Sequence, residues 1–152
     1  MLIIRDYEST DLQRVNELHV TVMQDAGVYK GDGPWDDDLK DIEGVYLKDG
    51  GAFLVGERNG RIVAMGAFKK SNAGLAEVKR MRVETELQGM GYGRQILEVL
   101  EERARALGYE GFHLETSEYQ IAAQKLYETC GFEEVGRTII DGFNCILYFK
   151  QF

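Results

Sequence analysis

Seven residues, Gln88-Gly89-Met90-Gly91-Tyr92-Gly93-Arg94, form the stretch of this chain best suited to chemistry. Before them, Ala76 to Val83 (AEVKRMRV) reads as a strand. After them, Arg94 to Leu107 reads as an amphipathic helix with Leu97, Leu100, Ala104 and Leu107 on one stripe. A strand that ends in glycines and opens a helix can hold an anion. Small residues let backbone N–H groups approach, and the helix N-terminus adds about half a positive charge. The dinucleotide fingerprint G-x-G-x-x-G fails in both registers, because its last position falls on Arg94 or Ile96. A Walker A loop fails for want of its Gly-Lys-Ser/Thr ending. The pattern present is Q-x-x-G-x-G. Two further features accompany it: Glu77 on the preceding strand, and Gln120, Ala123, Leu126, Tyr127, Gly131 and Phe132 downstream.

Together these residues resemble the GNAT-type N-acetyltransferases. In that family a Q-x-x-G-x-G loop wraps the CoA pyrophosphate, and an N-x-x-A-x-x-L-Y-x-x-x-G-F pattern follows. Many members also carry a general base where Glu77 stands. Gln120 departs from the pattern, since the family commonly has asparagine there contacting the CoA arm. The alternative for the glycines alone is a tight strand-to-helix turn.

The acceptor side and the organisation of the chain can be read next. Leu2–Arg5 reads as a first strand, and Ser9-Thr10-Asp11 opens a helix with Thr10 and Gln13 at capping-box spacing. Leu12, Val15, His19 and Val22 form the buried stripe of that helix, which makes His19 a core or groove histidine. A second helix is expected from Trp35, with Leu39, Ile42 and Tyr46 inward and Asp36 to Asp38 at its positive end. Hairpins are expected across Asn59-Gly60 and Asp141-Gly142. In the strand before the loop, Ala76 and Val78 share one phase and Met81 and Val83 the other, a slip that a β-bulge would produce. Strand Phe112–Thr116, helix Tyr119–Cys130 and a final hairpin complete the order β-α-α-β-β-β-α-β-α-β-β. The resemblance implies an α/β (α+β) GNAT fold: a mixed, twisted sheet of about seven strands flanked by four helices, in one domain over residues 1–152. In the family, a bulge at this place splays two strands apart.

Composition bounds the partners. A net charge of −8 argues against a general nucleic-acid binder. No run of 18 apolar residues suggests a membrane span, and Met1-Leu2-Ile3-Ile4 is too short for a signal peptide core. Cys130 and Cys145 show no redox or metal spacing and read as small buried hydrophobes in a cytoplasmic protein. His19 and His113 are too scattered for a metal site, so none is expected.

The resemblance then implies a division of labour. Acetyl-CoA would be the acyl donor, its pyrophosphate on Gln88, Gly89, Met90, Gly91, Tyr92, Gly93 and Arg94. Its pantetheine would run beside Met81, Arg82 and Val83 like an added strand, with Gln120 near the CoA arm. A primary ammonium is less than ~0.1% neutral at pH 7, a deficit of roughly 4–5 kcal/mol, and Glu77 is the candidate base, directly or through water. Tyr127 is the candidate acid for the departing thiolate, with a packed core tyrosine as the alternative. The acceptor expected is an amine of a small molecule, bordered by Tyr29, Trp35 and Glu115, with the acids Asp36 to Asp38 suited to a cation. A protein-acetylating enzyme and a non-catalytic acyl-CoA sensor remain alternatives. A homodimer is among the assembly states the family allows.

Overall fold

The computed structural model describes residues 1–152. Strands β1 (Ile3–Asp6), β2 (Ala52–Arg58), β3 (Arg61–Lys70), β4 (Leu75–Val83), β5 (Gly111–Ser117), β6 (Glu133–Ile140) and β7 (Phe143–Gln151) form one sheet in the order β1-β2-β3-β4-β5-β7-β6. Only β4 and β5 are parallel; the crossover between them runs through a helix, α2 (Tyr92–Ala106), as a parallel pair requires. Helices α1 (Leu12–Asp25) and α3 (Ile121–Thr129) complete the regular elements. Both hairpin turns fall where expected: Asn59 and Gly60 have φ of 54° and 76°, Asp141 and Gly142 49° and 83°. These positive values match the right-handed twist of the strands they join.

The sheet is covered on both faces, so β2 and β3 are nearly continuous buried runs. On one face Ile96, Leu97, Leu100 and Ala104 of α2 and Tyr127 of α3 pack on Leu54, Phe68, Val78 and Phe112. On the other, Val15, Leu18 and Val22 of α1 and Leu39, Ile42 and Tyr46 pack on Phe53, Val55, Met65 and Ala67. Helix α2 lies close enough to β3 that a Cβ on Gly66 would stand 2.4 Å from the Met81 sulfur and 2.7 Å from Ile96.

Three expectations are corrected. The capping box is made by Glu8 and Asp11 around the 3₁₀ turn Ser9–Asp11 that leads into α1, the Asp11 carboxylate accepting from the Glu8 N–H at 2.8 Å, and not by Thr10 and Gln13. Leu107 is exposed at the end of α2. The second helix is not an α-helix: Pro34–Lys40 is a 3₁₀ segment and Glu43–Leu47 a single π turn, broken at Asp41. Its inner residues are still Leu39, Ile42 and Tyr46, but its acids have a different task, set by β4.

Candidate active site

The site is made by a failure of pairing. Strands β4 and β5 pair only at Leu75–Gly111, Ala76–Phe112 and Glu77–His113. Beyond Glu77, β4 stays on β3 and β5 stays on β7, leaving a gap between them with β4 backbone on one side. The expected bulge is there: Met65 faces Arg82 while Ala67 faces Lys79, so β4 carries one extra residue, and Arg80 has φ +60°. The bulge rotates the strand by one side chain. Met81 therefore joins the core beneath α2, and Arg82 turns to meet α1.

Two cavities occupy the gap and share Met81, Arg82 and Gln120. The larger, about 510 Å³, lies between the end of β4, the start of α2 and α3. Ten of the eleven residues expected on the cofactor side line it: Met81, Arg82, Val83, Gln88, Gly89, Gly91, Tyr92, Gly93, Arg94 and Gln120. Met90 does not, and its side chain is half exposed to solvent. Gly91 caps α2 with φ +87°, a left-handed turn that a side chain would strain. Gln88 donates from Nε2 to the Val83 carbonyl at 3.1 Å, tying the loop to the strand. The Gln120 side-chain oxygen Oε1 accepts from the Ser117 N–H at 3.2 Å and the Thr116 hydroxyl at 3.3 Å. That oxygen is therefore engaged within the β5–α3 turn.

The smaller cavity, about 230 Å³, is bounded by α1, the 3₁₀ segment, the bulge, β5 and the β6–β7 turn. It holds Glu77 and Tyr127 together with Tyr29, Trp35 and Glu115. Glu77 is half-buried and engaged in no hydrogen bond or ion pair, beside His113 across the last paired rung. Tyr127 is buried, its ring 5.5 Å from that of Phe132 and 5.9 Å from that of Tyr148. Burial pushes its pKa up to about 12, with the Arg82 charge opposing the rise. Trp35 donates to the Gly31 carbonyl at 3.0 Å and carries the Lys30 ammonium 4.4 Å over its ring. The Ser117 hydroxyl, in the same wall, is buried without a partner.

Sequence reasoning missed the network that shapes this cavity. Arg80 donates to both Asp38 oxygens at 2.9 and 2.6 Å, to Asp36 at 3.2 Å and to the Trp35 carbonyl at 2.7 Å. The acids that would suit a cationic acceptor are thus taken by Arg80, except Asp37, which stands exposed near Lys40. Asp36 also meets His19 Nε2 at 3.1 Å, while His19 Nδ1 accepts from Arg82 Nε at 3.3 Å. Because Arg82 can only donate, His19 carries its proton on Nε2 and is neutral. Burial first, then the Arg82 charge, draws its pKa down to about 4. Only the place of His19 on the inner stripe of α1 hinted at this.

The comparisons with known proteins identify the family that carries this fold. The model of the Acetyltransferase (GNAT) family matches residues 12–132, so the chain belongs to that family. An IAA acetyltransferase of Azospirillum brasilense is 41% identical over 85 residues, 55% of this chain and 56% of that protein. This chain spans from about a third to under two thirds of the length of three further curated relatives that it matches. A GNAT-family acetyltransferase of Staphylococcus aureus has the same fold, with TM-score 0.91 at 23% identity over 99% of each chain. A Salmonella typhimurium chain solved with its cofactor acetyl-CoA aligns at TM-score 0.78 and 20% identity, over 99% of this chain and 93% of that one.

Proposed function

We propose that residues 1–152 act as one acetyltransferase domain that moves the acetyl group of acetyl-CoA to a primary amine of a small molecule. The observation that carries this reading is the meeting of the two cavities at Met81, Arg82 and Gln120, where the strands part. Acetyl-CoA lies in the larger cavity, its pyrophosphate at the Gln88–Arg94 loop and its pantetheine along the open edge of β4. The acceptor enters the smaller one. At about 230 Å³ it lies below the roughly 300–1,000 Å³ of drug-sized sites, which favours a small amine over a peptide.

Glu77 takes the ammonium proton, directly or through water, and the free amine attacks the thioester carbonyl in a ternary complex. A new C–N bond forms, the C–S bond breaks, CoA leaves as thiolate, and the new amide nitrogen loses its remaining surplus proton to water. Tyr127 protonates that thiolate. Burial raises the pKa of that phenol to about 12, so the transfer draws on the basicity of a thiolate that is itself desolvated there, and water returns the proton to the phenolate.

The test joins binding and turnover. Acetyl-CoA at about a hundred times its dissociation constant adds roughly 2.7 kcal/mol to stability, several degrees in melting temperature, while NADPH and ATP add little. Tyr127→Phe keeps that shift and lowers kcat for thiol release; an unchanged kcat would remove Tyr127 from the mechanism. No shift with saturating acetyl-CoA would remove the loop assignment.

A further inference from the structure

The acceptor cavity carries more charge than its own ion pairs consume. Lys30 is taken by Asp141 at 2.7 Å, and Arg80 by Asp36 and Asp38. Glu77 and Glu115 on the parting strands, and Lys79 and Arg82 on β4, line the same cavity with no opposite charge within ion-pair distance. Arg82 is the unusual one. Its Nε donates to neutral His19 and its Nη1 to the Met81 carbonyl at 2.8 Å; its Nη2 donates to nothing. A guanidinium half-withdrawn from water and offered only neutral acceptors is costly in proportion, because no opposite charge offsets the part of its hydration that is lost. Burial, reinforced by the Arg80 charge, accordingly lowers its pKa to about 10. Arg82 also lines both cavities, beside the place where acetyl group and acceptor must meet.

We infer that the acceptor carries a carboxylate close to its amino group, an amino acid in the broad sense, with Arg82 binding the carboxylate while Glu77 and Glu115 face the amine. This rests on the acetyl-transfer reading above and gives its substrate class. The planar fork of arginine matches a carboxylate in a way an ammonium does not, and one unsatisfied edge of the fork is available. His19 is a positioning residue: held by Asp36 through Nε2, it presents Nδ1 to Arg82 and fixes the plane of the guanidinium. A polyamine or aminoglycoside would bring further cations to a cavity whose acidic 3₁₀ segment is already neutralised by Arg80. The same cation could instead serve the CoA thiolate, a role shared by every acceptor.

The test is a matched panel: amino acids, their α-amides and the amines left when the carboxyl group is removed. Thiol release is followed with acetyl-CoA, and binding by melting-temperature shift in the presence of CoA. Within each set the acid should exceed the amide roughly 30-fold or more in kcat/KM, the effect of leaving one partner of a buried charge pair alone. Arg82→Gln should collapse that ratio to within about threefold while the acetyl-CoA shift remains, and Arg82→Lys should keep part of it. Amides or simple amines used as well as acids would overturn the inference. So would Arg82→Gln slowing acids and amides alike, which would assign Arg82 to the thiolate. If Arg82→Gln does not fold, the ratio in the unsubstituted protein decides alone. Acetyl-CoA binding with no panel member acetylated or bound would overturn the amino-acid acceptor and leave acetyl transfer standing. No acetyl-CoA binding would remove both.

Discussion

Arg80→Met tests the clamp that builds the acceptor cavity. The substitution keeps the apolar stem, and it keeps whatever strain a non-glycine residue bears at φ +60°, so the loss reports the guanidinium and not the backbone. Four hydrogen bonds vanish, to Asp38 twice, Asp36 and the Trp35 carbonyl. The Arg80 side chain is 10% exposed and those of Asp36 and Asp38 are 15% exposed, so two carboxylates are left half-desolvated. Breaking a buried pair in this way costs about 3–5 kcal/mol. The lower end applies, because the Tyr46 hydroxyl still donates to Asp38 at 2.5 Å. A loss near 3 kcal/mol lowers the melting temperature of a domain this size by roughly 6–12 °C, out of a total stability on the order of 5–15 kcal/mol.

The loss also has a pH signature. In the unsubstituted protein, burial opposes ionisation of Asp38, but the Arg80 bonds and charge with the Tyr46 hydroxyl hold its pKa below the ordinary value. Its stabilisation is therefore present above the unfolded pKa and lost as pH falls through the folded one. Without Arg80, desolvation dominates and the carboxyl prefers its proton, so the deficit of the variant is largest at neutral pH and narrows toward pH 4. Urea unfolding at pH 7 and pH 4, followed by fluorescence of the single tryptophan, Trp35, measures both. Asp38→Asn supplies the double-mutant cycle, with an expected coupling above about 1.5 kcal/mol. A loss under about 1 kcal/mol, a deficit independent of pH, or a coupling below about 0.5 kcal/mol would refute the reasoning.

Two further outcomes follow from the same geometry. His19, with a pKa near 4 against 6.5 for the free side chain, is protonated in the unfolded chain before the folded one. Its contribution is therefore complete above pH 6.5 and falls as pH drops toward 4, by roughly 3 kcal/mol at most. His19→Gln should flatten the stability profile in that window, and identical slopes in the two proteins would contradict this. Gly91→Ala places a side chain at φ +87° with nothing within 4 Å to clash, so only backbone strain of about 1 kcal/mol is added. Melting temperature should fall by about 2–4 °C and acetyl-CoA should bind several-fold more weakly; an unchanged protein would mean the loop does not need its left-handed cap.

The lining of the larger cavity was legible because its information is local. Gln88 to Arg94 act through consecutive backbone positions, and glycine at Gly91 is demanded by one dihedral angle. The lining of the smaller cavity was legible only as a set of residues. Tyr29, Trp35, Glu77, Glu115 and Tyr127 do reach one cavity, yet the acids of the 3₁₀ segment face Arg80, 42 and 44 positions further along the chain, and not the acceptor.

What the sequence by itself determined was the order of elements, both two-residue hairpin turns, the glycine loop and even the phase slip in β4. Each rests on periodicity or turn chemistry within a dozen residues. What only the tertiary structure decided was where that slip sends its side chains. An extra residue in β4 turns Arg80 toward Asp36 and Asp38 and Arg82 toward His19, and which charges cancel depends on elements folded against the strand from far away. Net charge and spacing add up all ionisable groups, whereas a site presents only those left without partners, and that remainder is set by packing.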